Sequence, residues 1–190
     1  MSAAWNEPAV VVVSGIQAAG KTTVGRMLAR RLPRAAFVDG DVLARMVVAG
    51  HEPMSKQPSP EAQRQLFLRY RQSALLARSF WNAGFTAVLA DNIYGADELI
   101  WFIDQVQARP LIVVMLVPQS RAVIEREVGR GSDAYRGWMG RAGLEEAVAE
   151  FQGYVAETPR LGLWLDTTTQ TPERTVEMVL ARAWTEGRVR

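Results

Sequence analysis

The chain has 190 residues, of which 48% are hydrophobic and 22% are charged, and its formal net charge at pH 7 is +2. This composition is typical of globular proteins and excludes a disordered or fibrous chain, and the length suits a single domain over residues 1–190. The small net charge does not favour a nucleic-acid partner, and no apolar run reaches the roughly 20 residues that span a bilayer.

The N-terminal sequence and the cysteine content bear on the compartment. The first ten residues, MSAAWNEPAV, carry an acid and no basic residue, which is not the pattern of a signal peptide. The chain has no cysteine, which excludes disulfides and thiolate metal sites. We therefore expect a cytoplasmic protein, which could be a monomer or a homodimer.

Five short apolar runs predict buried strands. Their hydrophobicity is continuous and does not alternate, as expected for parallel strands that are covered on both faces. The runs are 9–15, 35–41, 86–92, 110–117 and 161–167. Segments with helical spacing separate or follow them, at 21–32, 61–84, 96–107, 120–131 and 171–184. The alternation predicts an α/β fold with a parallel sheet and right-handed crossovers.

Two segments are rich in glycine, proline, serine and charge, at 50–61 and 129–143. This composition predicts exposed, mobile loops. Ligands of open α/β sheets bind beyond the carboxyl ends of the strands, where an inserted loop can close over a substrate. We therefore expect a substrate-side insertion at about 50–65 and a lid at about 129–143.

The segment GIQAAGKTT, residues 15–23, matches the pattern G-x-x-x-x-G-K-[ST] between a predicted strand and a predicted helix. The backbone amides of such a loop surround nucleotide phosphates at the positive end of the helix dipole. The expected nucleotide-binding residues are Gly15, Ala18, Ala19, Gly20, Lys21, Thr22 and Thr23. Lys21 should reach the terminal phosphates, and the Thr22 hydroxyl should ligate Mg²⁺.

Acidic residues follow the second and third predicted strands. Asp39 and Asp41 are two residues apart on the second predicted strand, so their side chains should start on one face. Phosphoryl transfer needs a metal clamp and a group that orients and deprotonates the acceptor, roles that two acids could divide. Asp91 ends the third strand, where P-loop proteins often place the acid that holds the Mg²⁺ water shell. The alternative for all three acids is simple turn chemistry.

The segment AAFVDGDVL resembles the second strand of gluconate kinases and, more loosely, the D-x-D motif of shikimate kinases. These are small P-loop kinases with a mobile lid and a three-layer fold whose five-stranded parallel sheet has the order 2-3-1-4-5. A second resemblance, to chloramphenicol phosphotransferase, rests on Asp41, ADN (90–92), RGSD (130–133) and LDTT (165–168). The resemblance to gluconate and shikimate kinases implies that Asp41 is the base and that Asp39 lies on the metal side.

Arg126 and Arg130 are four residues apart and share one face of the helix that leads into the lid segment. Guanidinium groups there can bind the γ-phosphate and stabilise charge in the transition state. The alternative is a solvated arginine-rich helix face.

Together these features predict a kinase that uses ATP and Mg²⁺ to phosphorylate a hydroxyl group of a small molecule, such as a sugar acid, an antibiotic or a related metabolite. Adenine is expected because the chain lacks the guanine-specifying N-K-x-D motif and because of the resemblance. The catalytic candidates are Asp41, Lys21 and Arg130. Two alternatives remain: a kinase of nucleic-acid ends, nucleosides or nucleotides, and an ATP-binding switch that transfers no phosphate.

Overall fold

The structure is a computed structural model that describes residues 3–132, 134–139 and 143–189. Its sheet has five parallel strands in the order β2-β3-β1-β4-β5, and a short sixth strand pairs antiparallel with β4. The predicted fold class and strand order are therefore confirmed. The strands are β1 (Val10–Ser14), β2 (Ala35–Asp39), β3 (Thr86–Ala90), β4 (Leu111–Leu116), β5 (Leu163–Leu165) and β6 (Arg188–Val189).

Within the described residues, eight α-helices accompany the sheet, after a short 3-10 helix at Ala3–Asn6. They are α1 (Lys21–Arg31), α2 (Gly40–Ala44), α3 (Pro60–Asn82), α4 (Glu98–Val106), α5 (Ser120–Arg130), α6 (Arg136–Met139), α7 (Gly143–Glu157) and α8 (Pro172–Glu186). Among the described residues, no helix combines the length and hydrophobicity that crossing a membrane requires.

The hydrophobic core lies on both faces of the sheet. The central strands β1 and β4 are fully buried, and alternate residues of β1 belong to two different clusters: Val11 and Val13 pack with α1, α7 and α8, whereas Val10 and Val12 pack with α3 and α4. This burial on both faces explains why the strand sequences are continuously apolar.

Several predicted boundaries are wrong. Each predicted strand is shorter in the structure, and the largest error concerns 35–41, because β2 ends at Asp39 and α2 begins at Gly40. The sequence analysis also missed α7 and the small helices α2 and α6. Part of the predicted lid is therefore helical. Asp133, which belongs to the RGSD match, lies outside the described residues.

All parallel strands end at the same edge of the sheet, which brings four connections together. The β1–α1 loop, the start of α2, the residues after β3 and the segment after α5 all lie at this edge. Open α/β sheets bind ligands there. The next section describes this edge residue by residue.

Candidate active site

The loop between β1 and α1 has the backbone geometry of a phosphate cradle. Gly15, Ala18 and Gly20 all have positive φ, at 144°, 60° and 99°. A Cβ atom at Gly15 would also lie 2.5 Å from the Leu116 carbonyl oxygen, so this position requires glycine. Among the described residues, no side chain caps the N-terminus of α1. Its first-turn amides therefore remain available to an anion.

Lys21 begins α1 and folds back over this loop. Its Nζ donates a hydrogen bond of 2.8 Å to the Ile16 carbonyl oxygen. Burial lowers the pKa of Lys21 to about 8, although the carboxylates of Asp41 and Asp91 act in the opposite direction. Lys21 is thus a buried cation whose charge a bound phosphate would stabilise.

A cavity of about 340 Å³, here called the phosphate cavity, lies beside this loop. Its described lining residues combine the loop with side chains from α2, α3, the end of β3 and α5. They include Gly20, Lys21, Thr22, Thr23, Asp41, Arg69, Asp91, Asn92 and Arg130. Of the candidate acids, the structure therefore brings Asp41 and Asp91 to the loop.

The two acids of the DGD segment have different positions. Asp39 caps α2, because its Oδ1 accepts a hydrogen bond of 3.1 Å from the Asp41 amide, and its Oδ2 lies 3.2 Å from Arg26 Nη2. Asp41 lies in the first turn of α2, is exposed and lines the phosphate cavity, whereas Asp39 is not among its lining residues. The prediction that both acids share one strand face is wrong, because the chain turns into a helix between them.

Gly40, the residue between these two acids, packs closely against Asp91. A Cβ atom at this position would lie 2.1 Å from Asp91 Oδ2. The end of β2 and the end of β3 therefore approach so closely that only glycine fits between the backbone of α2 and the Asp91 carboxylate. This contact fixes α2, and Asp41 with it, against the carboxyl end of β3.

Asp91 is buried and forms an ion pair that the sequence analysis did not predict. Its Oδ1 lies 3.0 Å from Arg69 Nη2 and accepts a hydrogen bond of 2.7 Å from the Asn92 amide. Its Oδ2 is buried and has no hydrogen-bond partner among the described residues. Burial raises the pKa of Asp91, while ion pairing with Arg69 acts in the opposite direction. The free Oδ2 is a candidate acceptor for an ordered water of a metal ion.

Arg126 and Arg130 extend the site along α5. A second cavity of about 340 Å³, the α5 cavity, lies between the loop and the β5–α8 connection, and both arginines line it with Gly20 and Gln170. Arg126 Nη2 donates a hydrogen bond of 2.6 Å to the Thr167 carbonyl oxygen, which fixes α5 against that connection. Both arginines line the α5 cavity, which agrees with the shared helix face that their i, i+4 spacing predicts, and Arg130 also lines the phosphate cavity.

The segment after α5 contacts the loop directly. Tyr135 is buried, and its hydroxyl donates a hydrogen bond of 2.8 Å to the Gln17 carbonyl oxygen. Buried Glu127 accepts hydrogen bonds from the Ser132 hydroxyl, at 2.5 Å, and from the Ala134 amide, at 3.1 Å. The expectation of a fully exposed lid is therefore wrong for Tyr135, which packs against the phosphate-binding loop.

The fold and the loop together define a P-loop NTPase. A family model described as an AAA domain matches residues 10–153, and the chain belongs to that family. A comparison with curated protein sequences gives no significant match.

Similar solved structures include small kinases. Gluconokinase from Sinorhizobium meliloti is 16% identical, with a TM-score of 0.63 over 93% of this chain and 91% of that chain. APS kinase from Mycobacterium tuberculosis, in complex with AMPPNP and APS, is 15% identical, with a TM-score of 0.66 over 92% and 96%. A tunicamycin resistance protein from Deinococcus radiodurans is 16% identical, with a TM-score of 0.62 over 92% and 95%. At these identities the likeness concerns the fold, which is that of P-loop kinases.

Two important side chains escaped sequence reasoning. Arg69 lies within a long helix whose pattern indicated core packing, and its partner Asp91 is 22 residues further along the chain. Phe151 lies on α7, which was not predicted. A signal for Arg69 existed: it lies next to buried Tyr70 and about two turns before buried Ala77, which places it on the core side of α3.

Proposed function

We propose that the chain is a kinase that uses ATP and Mg²⁺ to phosphorylate a hydroxyl group of a small molecule. One observation carries this proposal: the phosphate-binding loop, the exposed carboxylate of Asp41, buried Asp91 and Arg130 all line one cavity. A kinase needs these groups together, because positioning and electrostatic stabilisation supply most of the catalysis of phosphoryl transfer.

The two cavities beside the loop suggest how a nucleotide binds. Gly20 and Arg130 line both cavities, so a nucleotide with its phosphates in the phosphate cavity would extend directly into the α5 cavity. Arg126 and Gln170 line the α5 cavity, where we place the nucleoside. The absence of an N-K-x-D motif favours adenine in this position.

The residues at the loop fit a magnesium ion. Mg²⁺ binds through one or two protein oxygens and keeps several waters and phosphate oxygens as ligands. Thr22 and Asp91 line the same cavity, and Asp91 Oδ2 is buried without a partner among the described residues. We assign these two residues to the ion. Asp39 fits less well, because Arg26 and the Asp41 amide already bind its carboxylate. When bound, the ion would neutralise charge on the phosphates.

Within the described residues there is no cluster of three or more acids, histidines or cysteines that would hold a metal ion alone. This agrees with an ion that depends on the nucleotide for most of its ligands. Metal binding should therefore need ATP.

Asp41 is the proposed base. It is exposed at the N-terminus of α2, on the cavity that would hold the terminal phosphate. In the transfer step the acceptor oxygen bonds to the γ-phosphorus, the bond from that phosphorus to the β–γ bridging oxygen breaks, and the acceptor proton passes to Asp41. Lys21 and Arg130 stabilise the charge on the transferred group.

The contact of Tyr135 with Gln17 supports a role for the segment after α5 in covering the site. Water competes with the acceptor in any kinase, and covering the phosphates limits this side reaction. The hydroxyl of Tyr135 holds this segment on the loop itself.

A screen tests the function. Sugar acids, antibiotics, nucleosides and oligonucleotides with a free 5′-hydroxyl are incubated with the protein, ATP and Mg²⁺, and products are analysed by mass. The structural similarity to gluconokinase and to the tunicamycin resistance protein supports including sugar acids and antibiotics in the screen. We expect one small molecule to gain a single phosphate as ADP forms. Transfer to oligonucleotides alone would indicate an end kinase, and ATP binding without any transfer would indicate a nucleotide-dependent switch; either result contradicts the proposal.

A further inference from the structure

A larger cavity, of about 420 Å³, adjoins the phosphate cavity on its other side. Gln17, Arg69 and Asn92 line both cavities, so the two cavities meet at these residues. A ligand in the larger cavity could thus extend a hydroxyl group at this junction toward the phosphate cavity. We call this space the aromatic cavity.

Aromatic side chains from three parts of the chain line this cavity. Phe151 of α7 stands at their centre, with its ring centroid 4.6 Å from that of Trp138, 5.9 Å from that of Tyr154 and 6.3 Å from that of Tyr94. All these pairs are edge-to-face. Such walls favour a ligand with an aromatic or otherwise flat apolar body.

The charge of the cavity is negative. Its described lining includes the acids Asp97, Glu98 and Glu157, and Arg69 is the only lysine, arginine or histidine among the described lining residues. Arg69 is already ion-paired with Asp91. None of the three acids forms an ion pair with a lysine or arginine in the described part of the chain. Among the described lining residues an anionic ligand would find no unpaired cation, whereas a cationic ligand would meet carboxylates and aromatic faces.

From these observations we propose that the acceptor is an aromatic alcohol that carries an amine, and that carboxylate acceptors such as sugar acids are disfavoured. This inference rests on the proposed kinase function and names the substrate class of that site. The ring occupies the space around Phe151, the ammonium group lies near Asp97, Glu98 and Glu157, and the hydroxyl group reaches the phosphate cavity, where Asp41 lies.

A third cavity competes for the acceptor. It has a volume of about 370 Å³ and is lined by Asp41 and Arg69, together with Glu52, His51 and Leu66. Its described lining contains no phenylalanine, tyrosine or tryptophan. An acceptor bound there would bury an aromatic ring against aliphatic side chains, without the edge-to-face contacts that the aromatic cavity offers.

Four small alcohols separate these possibilities. 2-Amino-1-phenylethanol, 1-phenyl-1,2-ethanediol and mandelic acid share a phenyl ring and a hydroxyl group but are cationic, neutral and anionic at pH 7. 2-Aminoethanol keeps the amine and lacks the ring. The value of kcat/KM is measured for each with ATP and Mg²⁺, and binding is measured by calorimetry with the Asp41→Asn variant and AMPPNP. We expect the aromatic amine to exceed mandelic acid by at least about tenfold in both measurements, with the diol between them.

Glu157→Gln tests the charge directly, because this side chain is exposed and its loss should not affect folding. The preference for the amine over the diol should fall by about threefold. Glu145→Gln is the matched control: Glu145 is an exposed acid on the same helix and is not among the residues that line the cavity. This variant should keep the wild-type preference.

The outcomes separate the two proposals. If mandelic acid or gluconate is preferred, or if no aromatic amine binds, the acceptor assignment is wrong while the kinase function can still hold. Equal use of 2-aminoethanol and its phenyl derivative would show that the ring gains nothing from the aromatic cavity and would also overturn the assignment. If the aromatic amine binds selectively but no compound is ever phosphorylated, the proposed function fails and the ligand class stands.

Discussion

Arg69 and Asp91 form a buried ion pair at the wall of the phosphate cavity, with 3.0 Å between Arg69 Nη2 and Asp91 Oδ1. The two side chains are only 16% and 1% exposed. The pair connects the middle of α3 to the end of β3. It also neutralises the only arginine among the described residues that line the aromatic cavity. This one ion pair therefore affects both the stability of this edge of the sheet and the charge of the ligand that the aromatic cavity can accept.

Breaking this pair should be costly. Arg69→Ala leaves the Asp91 carboxylate buried without its counter-ion, and we expect the free energy of unfolding to fall by about 3–5 kcal/mol. Urea denaturation measures the change. Arg182→Ala is the control, because Arg182 pairs with Glu186 on the surface of α8 at 2.6 Å and its loss should cost no more than about 1 kcal/mol. Equal losses of unfolding free energy in the two variants would show that the buried ion pair stabilises the protein no more than the surface pair does.

Gly40 should tolerate no side chain. In Gly40→Ala the new Cβ would lie 2.1 Å from Asp91 Oδ2, so either α2 or the carboxylate must move. We expect a loss of about 1–3 kcal/mol in stability and at least a tenfold loss in kcat/KM, because the substitution displaces either Asp41, with α2, or the Asp91 carboxylate. The value of kcat/KM is measured with whichever acceptor the screen identifies.

Gly153→Ala is the matched control for this substitution. Gly153 lies inside α7, and a Cβ atom there would meet no atom of the described residues within 4 Å. Alanine should therefore stabilise the protein by about 0.4–1 kcal/mol. If Gly40→Ala behaved in the same way, the close approach of α2 to Asp91 would be refuted.

The sequence predicted the parts of this site that depend on neighbouring residues. The glycines and Lys21 of the loop are recognisable because eight consecutive positions, 15–22, define both its backbone and its chemistry. The strand order followed from the resemblance to small P-loop kinases, and the continuous apolar runs predicted that both faces of the sheet are covered.

The remaining parts depend on contacts between distant residues. Nothing local shows that Asp91 pairs with Arg69 or that it packs against Gly40, because these three residues meet only when β2, β3 and α3 are assembled. The same holds for Asp41: alternation along a strand predicted one face for Asp39 and Asp41, but the cap that Asp39 provides starts a helix instead.

The titration of Lys21 should appear in the pH dependence of ATP binding. Burial gives its pKa a value of about 8, so the free protein loses this charge as the pH rises through 8. ATP binds the protonated form, so binding should take up a proton and the affinity should fall by up to about tenfold per pH unit above 8. Calorimetry in buffers with different ionisation enthalpies measures the proton uptake.

Lys21→Arg is the control for this titration, since arginine stays protonated throughout this range. Whatever its overall affinity, this variant should show no proton uptake that is linked to position 21. An unchanged pH dependence in Lys21→Arg would show that a different group titrates.

The hydroxyl of Tyr135 should limit the loss of phosphate to water. Tyr135→Phe removes the hydrogen bond to Gln17 and should free the segment after α5 from the loop. We expect the ratio of ATP hydrolysis to phosphate transfer to rise severalfold, as measured from ADP and product formed in the same reaction. Thr185→Val, which removes an exposed hydroxyl on α8, should leave the ratio unchanged. A constant ratio in Tyr135→Phe would contradict this role.

The role of Asp41 is the central claim, and one comparison tests it most directly: ATP affinity and phosphate transfer in Asp41→Asn against the wild-type chain. The exposed position of Asp41 predicts a folded variant whose dissociation constant for ATP stays within about threefold. Transfer should fall by at least about 100-fold, because asparagine cannot accept the proton of the hydroxyl group. Wild-type transfer in Asp41→Asn would contradict the account.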